Sequence, residues 1–267
     1  MADFTYVNGR ITRFSGDRWL ADEDRLAVEE PLQIRLGRAS LAITMRTPGH
    51  DFELAAGFLL TEGIIRRKED LDKIALPTRR LPNIITVKLR RGAKINKNRL
   101  RRYFPASSSC GLCGRTTLQA ISVNVKAVAT DINVPLALLL SLPDKLRNEQ
   151  QTFDETGGLH GAAIFDRWGE PLFVREDVGR HNAVDKVIGA ALLEKKFPLD
   201  SHILTVSGRA SFEIMQKALI ARIPVVTAVS APSSLAVALA RKFKMTLVGF
   251  LRDGRCNVYA GEERLRL

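Results

Sequence analysis

The chain has 267 residues, of which 45% are hydrophobic, and a formal net charge of +12 at pH 7. This length and composition allow one large core or two modest domains, and they exclude a chain dominated by disorder. No segment reaches the ~18 uninterrupted apolar residues of a membrane span, and the N-terminus lacks the basic and apolar run of a signal peptide. We therefore expect a soluble, cytoplasmic protein.

The excess positive charge is concentrated in residues 66–102. This segment has fourteen Lys and Arg residues against three acidic ones, a net charge of +11. Charge runs are usually solvated faces, and the functional alternative is a docking surface for an acidic protein or a phosphate-rich ligand. Nucleic acid is disfavoured as a partner because only Tyr103 and Phe104 offer aromatic stacking near the run.

The first part of the chain predicts a small α+β domain over residues 1–104. Two short β-rich runs separated by a glycine-containing turn indicate a hairpin. The next segment repeats apolar residues at helical spacing and is followed by Gly63, a typical C-terminal stop. The predicted bounds are 32–36 and 41–45 for the hairpin, 47–61 for the helix and 84–89 for a further strand.

The last part of the chain, residues 119–267, alternates β-like and helical runs, which predicts an α/β domain with a parallel βαβαβ core. A helical connector interrupted or bent at Pro143, a hairpin and an amphipathic helix precede this core. A mobile loop, residues 105–118, joins the two domains. The predicted bounds are 135–153 for the connector, 161–165 and 171–175 for the hairpin, 183–195 for the first helix, 202–206, 225–229 and 245–251 for the parallel strands, 212–221 and 234–243 for their helices, and 257–260 for a last strand.

Loops rich in Gly, Ser and Arg follow the predicted parallel strands. In open α/β sheets, ligands bind at the carboxyl ends of strands, where helix N-termini present N–H groups that favour anions. Ser and Asp also cap helices routinely and Gly serves ordinary turns, so no single loop is decisive. Several such loops at one sheet edge predict a pocket for a nucleotide or pterin phosphate. The candidate residues are His181, Ser207, Gly208, Arg209 and Ser230. His160 lies in a further glycine-rich segment, and the sequence does not decide between a structural and a functional role for it.

Two of the three cysteines, Cys110 and Cys113, form a Cys-x-x-Cys motif between three serines and Arg115. The thiolate is the reactive form of cysteine, so a functional pair needs access and a lowered pKa, which glycines and nearby cations favour. Three cysteines are too few for a disulfide framework, and the pair is expected to be reduced.

Four kinds of chemistry compete for this pair. A thioredoxin-like motif should open a helix after an early strand, which the domain pattern does not match. Structural zinc needs four ligands, and the chain adds only Cys256 and no paired His. Zinc deaminases place Glu two residues after a His and Pro before the first Cys, where this chain has Ala162 and Ser109. Sulfur transfer is favoured: one cysteine holds a sulfane sulfur as persulfide and the other attacks the S–S bond.

Eight short motifs lie in a fixed order along nearly the whole chain. They are EEPL (29–32), MRTPG (45–49), GFLLTEG (57–63), SSCGLCG (108–114), TGGLH (156–160), EDVGRHNAVDK (176–186), SGR (207–209) and SAPSS (230–234). Together they resemble the FdhD/NarQ family, the formate dehydrogenase accessory sulfurtransferases.

The resemblance implies a cytidine-deaminase-like three-layer α/β domain with a smaller N-terminal α+β domain, usually in a homodimer. It implies that Cys110 accepts sulfur from a cysteine desulfurase, with Cys113 assisting. The sulfur then passes to the molybdenum bis(molybdopterin guanine dinucleotide) cofactor, a bound substrate for which a guanine nucleotide can substitute, and the cofactor goes on to formate dehydrogenase. No metal of the protein's own is expected. Two other functions stay open, a non-catalytic cofactor-binding chaperone and a zinc-dependent nucleotide deaminase. The segment that the resemblance assigns to the cofactor comprises Phe250, Leu251, Arg252, Asp253, Gly254 and Arg255.

Overall fold

The structure is a computed structural model that describes residues 5–75, 83–93, 127–128 and 130–267. Within these residues the chain is a mixed α/β protein with helices and several sheets. The helices are α1 (Asp51–Thr61), α2 (Leu136–Asn148), α3 (Gln151–Thr156), α4 (Arg180–Leu193), α5 (Phe212–Ile220) and α6 (Ser234–Lys242). The strands are β1 (Tyr6–Ser15), β2 (Arg18–Ala27), β3 (Glu30–Leu36), β4 (Ala39–Arg46), β5 (Leu71–Ala75), β6 (Ile84–Leu89), β7 (Val134–Pro135), β8 (His160–Phe165), β9 (Pro171–Asp177), β10 (Ile203–Val206), β11 (Val225–Ala228), β12 (Thr246–Arg252), β13 (Arg255–Ala260) and β14 (Leu265–Arg266).

The main sheet has six strands in the order β13-β12-β11-β10-β8-β9. Strands β10, β11 and β12 are parallel and are connected through α5 and α6, which confirms the predicted βαβαβ core. Strands β8, β9 and β13 run antiparallel to their neighbours and extend the sheet on both sides. The predicted hairpin is the pair β8 and β9, and the predicted last strand is β13.

Helices cover both faces of this sheet. Ala162 and Ile164 belong to one core cluster together with residues of α4, α5 and α6, whereas Ala163 and Phe165 belong to a second cluster with apolar side chains of α2. Burial on both faces explains why these strands are nearly continuous apolar runs in the sequence. The likeness of this arrangement to a cytidine deaminase stays a prediction.

The N-terminal part forms a four-stranded sheet in the order β4-β3-β6-β5, with α1 packed between it and α4. The helices α1 and α4 touch backbone to backbone. A Cβ atom added to Gly57 would lie 1.8 Å from the carbonyl oxygen of Asp185, and one added to Gly189 would lie 1.8 Å from that of Glu53. Glycine at both positions therefore allows an approach that no other residue permits. The proposed boundaries at residues 104 and 118 stay a prediction, because residues 94–126 lie outside the described part.

Two predicted features of the helices differ from the structure. The first helix starts at Asp51 and not at Thr47, because Gly49 (φ 98°) and His50 (φ 59°) adopt positive φ values that a right-handed helix does not include. The connector is not interrupted at Pro143, which lies inside α2, and a bend there stays a prediction. The chain leaves the helical conformation at the junction of α2 and α3 instead, where Gln150 has φ −89° and ψ 65°.

Strands β1 and β2 form a two-stranded ribbon that the sequence patterns did not reveal. Ten residues of each strand pair in register, and Phe14 and Trp19 face each other across it with ring centroids 4.8 Å apart. Neither core cluster contains a residue that precedes Leu32. The ribbon alternates few apolar residues with many charged ones, so the usual half-buried strand pattern is absent. No helix among the described residues has the length and apolarity to cross a membrane.

Candidate functional site

A cavity of about 990 Å³ opens at the carboxyl edge of the main sheet. Strand β8 is antiparallel to β10, with Ala162 opposite Val206, so the start of β8 meets the ends of the parallel strands. The loops that follow β10, β11 and β12 therefore reach one place. Seven of the residues predicted as cofactor-binding line the cavity: Ser207, Gly208, Arg209, Ser230, Arg252, Asp253 and Gly254.

The other walls of the cavity come from segments that precede β8. Helix α2 and the α2–α3 junction provide one wall, and the glycine-rich segment before β8 provides another. Sequence reasoning assigned no site role to most of these residues, because their pattern is that of an ordinary amphipathic helix and its cap. They are Leu140, Pro143, Asp144, Leu146, Arg147, Gln150, Phe153, Gly157, Gly158, Leu159 and His160, together with Arg180 and Val229.

Three residues of the predicted segment 250–255 are not among the lining residues. Leu251 is fully buried in the core cluster beneath α2. Phe250 adopts a positive φ and donates its backbone N–H to the carbonyl of Ser230 (3.1 Å), and Arg255 pairs with Arg252 in the β12–β13 turn. These three residues shape and hold the loop that presents Arg252 and Asp253.

His181 lies at the same sheet edge but outside the lining of the cavity. Its Nε2 is 3.3 Å from the Ser211 hydroxyl and 3.9 Å from the Glu213 carboxylate. Burial, with the nearby charges of Lys217 and Arg180, lowers the pKa of His181 to about 4. The imidazole is thus neutral at pH 7 and is held by α5 rather than by the cavity.

Three serines in or next to the predicted loops have structural roles. The Ser207 hydroxyl accepts the backbone N–H of Gly161 (2.9 Å), which joins the end of β10 to the start of β8. The hydroxyls of Ser211 and Ser233 accept N–H groups in the first turns of α5 and α6, as N-caps do. Ser230 lines the cavity, and its carbonyl accepts the backbone N–H of Phe250 (3.1 Å).

His160 and Gly208 are neighbours on the wall of the cavity. A Cβ atom added at residue 208 would lie 3.4 Å from the Nδ1 of His160, an ordinary van der Waals contact. Burial, and then the charge of Arg180, lowers the pKa of His160. The ring is neutral at pH 7 and offers one donor and one acceptor.

The segment 176–186 positions Arg180 through a buried network. Asp177 and Lys186 form a fully buried ion pair with Oδ2 and Nζ 2.7 Å apart. The Asp177 carboxylate also accepts the backbone N–H of Gly179 (2.8 Å) and the Asn182 amide (3.0 Å). These bonds fix the turn from β9 into α4, and Arg180 is the first residue of that helix. The sequence motif is therefore mainly structural, with Arg180 as its contribution to the cavity.

The cavity is predominantly cationic. It is lined by four arginines against two aspartates, Asp144 and Asp253. Arg147 pairs with Asp154 and Arg252 lies 3.9 Å from Asp253, whereas Arg180 and Arg209 have no ion-pair partner in the described part of the chain. Such a surface favours ligands that carry phosphate groups.

Of the three cysteines, Cys256 lies in the described part of the chain. The pair Cys110 and Cys113 lies outside the described residues. Cys256 lies on β13, where burial raises the pKa of its thiol, so it is poorly suited to act as a nucleophile. Within the described ranges, no three His, Cys, Asp or Glu side chains come together as metal ligands.

The model of the FdhD/NarQ family matches residues 27–266 of the chain. The chain belongs to the FdhD/NarQ family. Among its relatives, the sulfur carrier protein FdhD of Streptomyces coelicolor is 51% identical over 253 residues, covering 91% of this chain and 90% of the relative. The sulfur carrier protein FdhD of Mycobacterium tuberculosis is 48% identical over 273 residues, covering 98% and 99%.

A solved structure extends the similarity to the fold. A crystal structure described as that of a proposed formate dehydrogenase accessory protein from Desulfotalea psychrophila superposes with a TM-score of 0.79 at 25% identity, covering 98% of this chain and 100% of that one. The family resemblance inferred from the eight motifs is thus confirmed. The FdhD/NarQ model begins at residue 27, so β1 and nearly all of β2 precede the part that the model describes.

Proposed function

We propose that this FdhD/NarQ chain is a sulfur carrier whose Cys110 accepts sulfane sulfur from a cysteine desulfurase as a persulfide. The acceptor is the molybdenum bis(molybdopterin guanine dinucleotide) cofactor, bound as substrate in the cavity at the sheet edge. Attack of the Cys113 thiolate on the inner sulfur would break the S–S bond, release sulfide and leave a Cys110–Cys113 disulfide, which a dithiol then reduces. The sulfurated cofactor would serve formate dehydrogenase.

The observation that carries this proposal is the cationic cavity where the loops after β10, β11 and β12 meet. A guanine dinucleotide has a pyrophosphate, and arginines together with backbone N–H groups are the usual partners of such groups. The names of the relatives, sulfur carrier proteins, support the sulfur half of the proposal. The finer features proposed with it are a cytidine-deaminase-like arrangement of the α/β part, a homodimer and a cytoplasmic location.

The sulfur half is tested by intact mass. After incubation with a cysteine desulfurase and cysteine, we expect the wild-type chain to gain about 32 Da, one sulfur atom added to a thiol. Cys110→Ala should abolish the adduct, and Cys113→Ala should keep it. Cys256→Ala is the matched control and should load like the wild type. An adduct that persists in Cys110→Ala would exclude Cys110 as the carrier.

A second candidate is a non-catalytic chaperone that binds the cofactor and uses its cysteines only for contact. The cationic cavity supports it as well, since a chaperone that binds the cofactor needs the same phosphate-binding surface. The two functions separate in the double variant Cys110→Ala, Cys113→Ala. A chaperone would still support maturation of formate dehydrogenase, whereas a sulfur carrier would not.

A further inference from the structure

Two buried nitrogen atoms on the wall of the cavity have no hydrogen-bond partner among the described residues. They are Nε2 of Gln150 and Nε of Arg180, and both residues line the cavity. The Gln150 side chain is almost wholly buried, with 3% of the residue exposed. Both atoms are N–H donors, so an acceptor is missing at this place.

An orphaned buried donor is costly. Leaving such a group unpaired forfeits the hydrogen bonds that water makes to it in the unfolded chain, and the penalty is larger when the group is charged. More than about nine in ten buried polar groups in proteins are paired, so two orphans in one cavity call for a specific reason. A ligand that supplies the acceptor is such a reason.

The position of the Gln150 amide is restricted by its neighbours. It lies against Gly161, where an added Cβ atom would come within 2.6 Å of the amide carbon. The α3 helix that follows is anchored because the Glu176 carboxylate accepts the N–H groups of Thr152 (2.9 Å) and Phe153 (2.8 Å). The strand pairing and this anchor therefore fix the position of Gln150.

Arg180 adds a positive charge that acts on the Glu213 carboxylate through space without pairing to it. It makes no ion pair within the described ranges, and the first turn of α4, which it begins, has no acidic residue. A 14-residue helix also carries a partial positive charge at its N-terminus. A half-buried guanidinium in this setting is stabilised by an anion, and its fork of donors matches phosphate oxygens.

We propose that Gln150 and Arg180 form the phosphate subsite of the cavity, in which both side chains donate to phosphate oxygens of a guanine nucleotide. This assignment rests on the proposed function for the identity of the nucleotide. It adds to the segment 252–254 two residues from other parts of the chain, one at the α2–α3 junction and one at the start of α4.

The test is a calorimetric titration with three probes at constant ionic strength: GDP, guanosine and inorganic pyrophosphate. In Arg180→Met and Gln150→Leu we expect the Kd for GDP and for pyrophosphate to rise at least tenfold, while the Kd for guanosine stays within twofold. Arg10→Met, on the exposed ribbon, removes the same charge and should match the wild type for all three probes.

Three results would overturn the subsite. These are GDP affinity that does not change in the Arg180 and Gln150 variants, an equal loss for guanosine, and a wild-type chain that binds no GDP. If a variant does not fold, the wild-type chain supplies the readout, because Arg Nε–H groups are visible by ¹⁵N NMR. The Nε–H signal of Arg180 is assigned as the one that is missing from the spectrum of folded Arg180→Lys. Its chemical shift should change on addition of GDP or pyrophosphate and should not change on addition of guanosine. An Arg180 signal that does not shift with GDP contradicts the proposal.

Failure of the subsite is distinguishable from failure of the sulfur carrier. Loading of Cys110 with sulfur is measured by mass in the same variants and does not need the cavity. Arg180-dependent GDP binding without loading would leave the subsite standing and refute the carrier. Sulfur loading of Cys110 together with GDP binding that does not depend on Arg180 would refute the subsite and leave the sulfur carrier standing.

Discussion

Asp177 and Lys186 form an ion pair that is wholly buried, with Oδ2 and Nζ 2.7 Å apart and with at most 1% of either side chain exposed. Lys186 also donates to the carbonyls of Thr47 (3.0 Å) and Glu176 (3.2 Å). The pair thus joins the segment before α1 to the end of β9 and to α4. Every donor of the ammonium group has a partner, which is the condition under which a buried charge is tolerated.

Removal of one partner of this pair should be strongly destabilising. Lys186→Met leaves the Asp177 carboxylate buried without its counter-charge, and we expect a loss of about 3–5 kcal/mol in the free energy of unfolding. The measurement is urea denaturation at pH 7. The control is Lys88→Met, which removes an exposed ion pair to Asp72 and should leave the free energy of unfolding nearly unchanged. Equal losses in the two variants would contradict the structural role of the buried pair.

The contact of α1 with α4 predicts an unusual sensitivity to a single methyl group. Gly57→Ala would place Cβ 1.8 Å from the Asp185 carbonyl oxygen, so the helices must separate, and we expect a loss of several kcal/mol. Gly208→Ala is the matched control, because its nearest neighbour would be 3.4 Å away, an ordinary contact. Thermal unfolding should show a large drop in Tm for Gly57→Ala and a small change for Gly208→Ala. If Gly57→Ala unfolded like the wild type, the close approach of the two helices would be wrong.

The parts of the fold that the sequence predicted are those where local pattern and burial agree. Residues 203–206 and 225–228 are buried throughout and apolar except for Thr205 and Thr227, because both faces of the sheet are covered, and the polar loops after them mark the strand ends. The convergence of these loops then followed from the topology of parallel strands.

The parts that were missed depend on contacts between distant residues. Gln150 lies in a stretch with no distinctive composition, and its value to the site comes from Gly161 and from the cavity it faces. The ribbon was missed because most of its side chains are exposed and its strands lack an apolar face, although α3 contacts both strands. His181 was placed in the site by its neighbours in sequence, yet the first turn of α4 directs Arg180 to the cavity and His181 to α5.

A salt bridge between β9 and α1 predicts a pH dependence of stability. Arg175 binds Glu53 through two hydrogen bonds, with distances of 2.6 Å and 2.7 Å. Burial raises the pKa of Glu53, but the hydrogen bonds from Arg175 and His50 outweigh it and lower the pKa from 4.5 to about 2. Above pH 4.5 the carboxylate is charged in the folded and the unfolded chain, and its full stabilisation, on the order of 3 kcal/mol, is present.

This contribution should disappear as the pH falls through the interval from 4.5 to 2, where the unfolded chain binds the proton first. We expect Glu53→Gln to be less stable than the wild type at pH 6 and the difference to shrink at pH 3. Urea denaturation at both pH values measures it. The exposed Glu194→Gln is the control and should show little difference at either pH. If the loss of stability caused by Glu53→Gln were larger at pH 3 than at pH 6, the predicted direction of the pH dependence would be wrong.

The ribbon of β1 and β2 should unfold independently of the core. A two-stranded hairpin is marginally stable on its own, and the cross-strand pair of Phe14 and Trp19 is worth about 0.5–1.5 kcal/mol beyond its buried area. In the double variant Phe14→Ser, Trp19→Ser we expect faster hydrogen exchange of the ribbon amides and an unchanged midpoint of global unfolding in urea. Leu54→Ala in α1 is the contrasting variant, since Leu54 is fully buried and its truncation should cost about 2–5 kcal/mol. A global midpoint lowered by the double variant as much as by Leu54→Ala would show that the ribbon is part of the cooperative core.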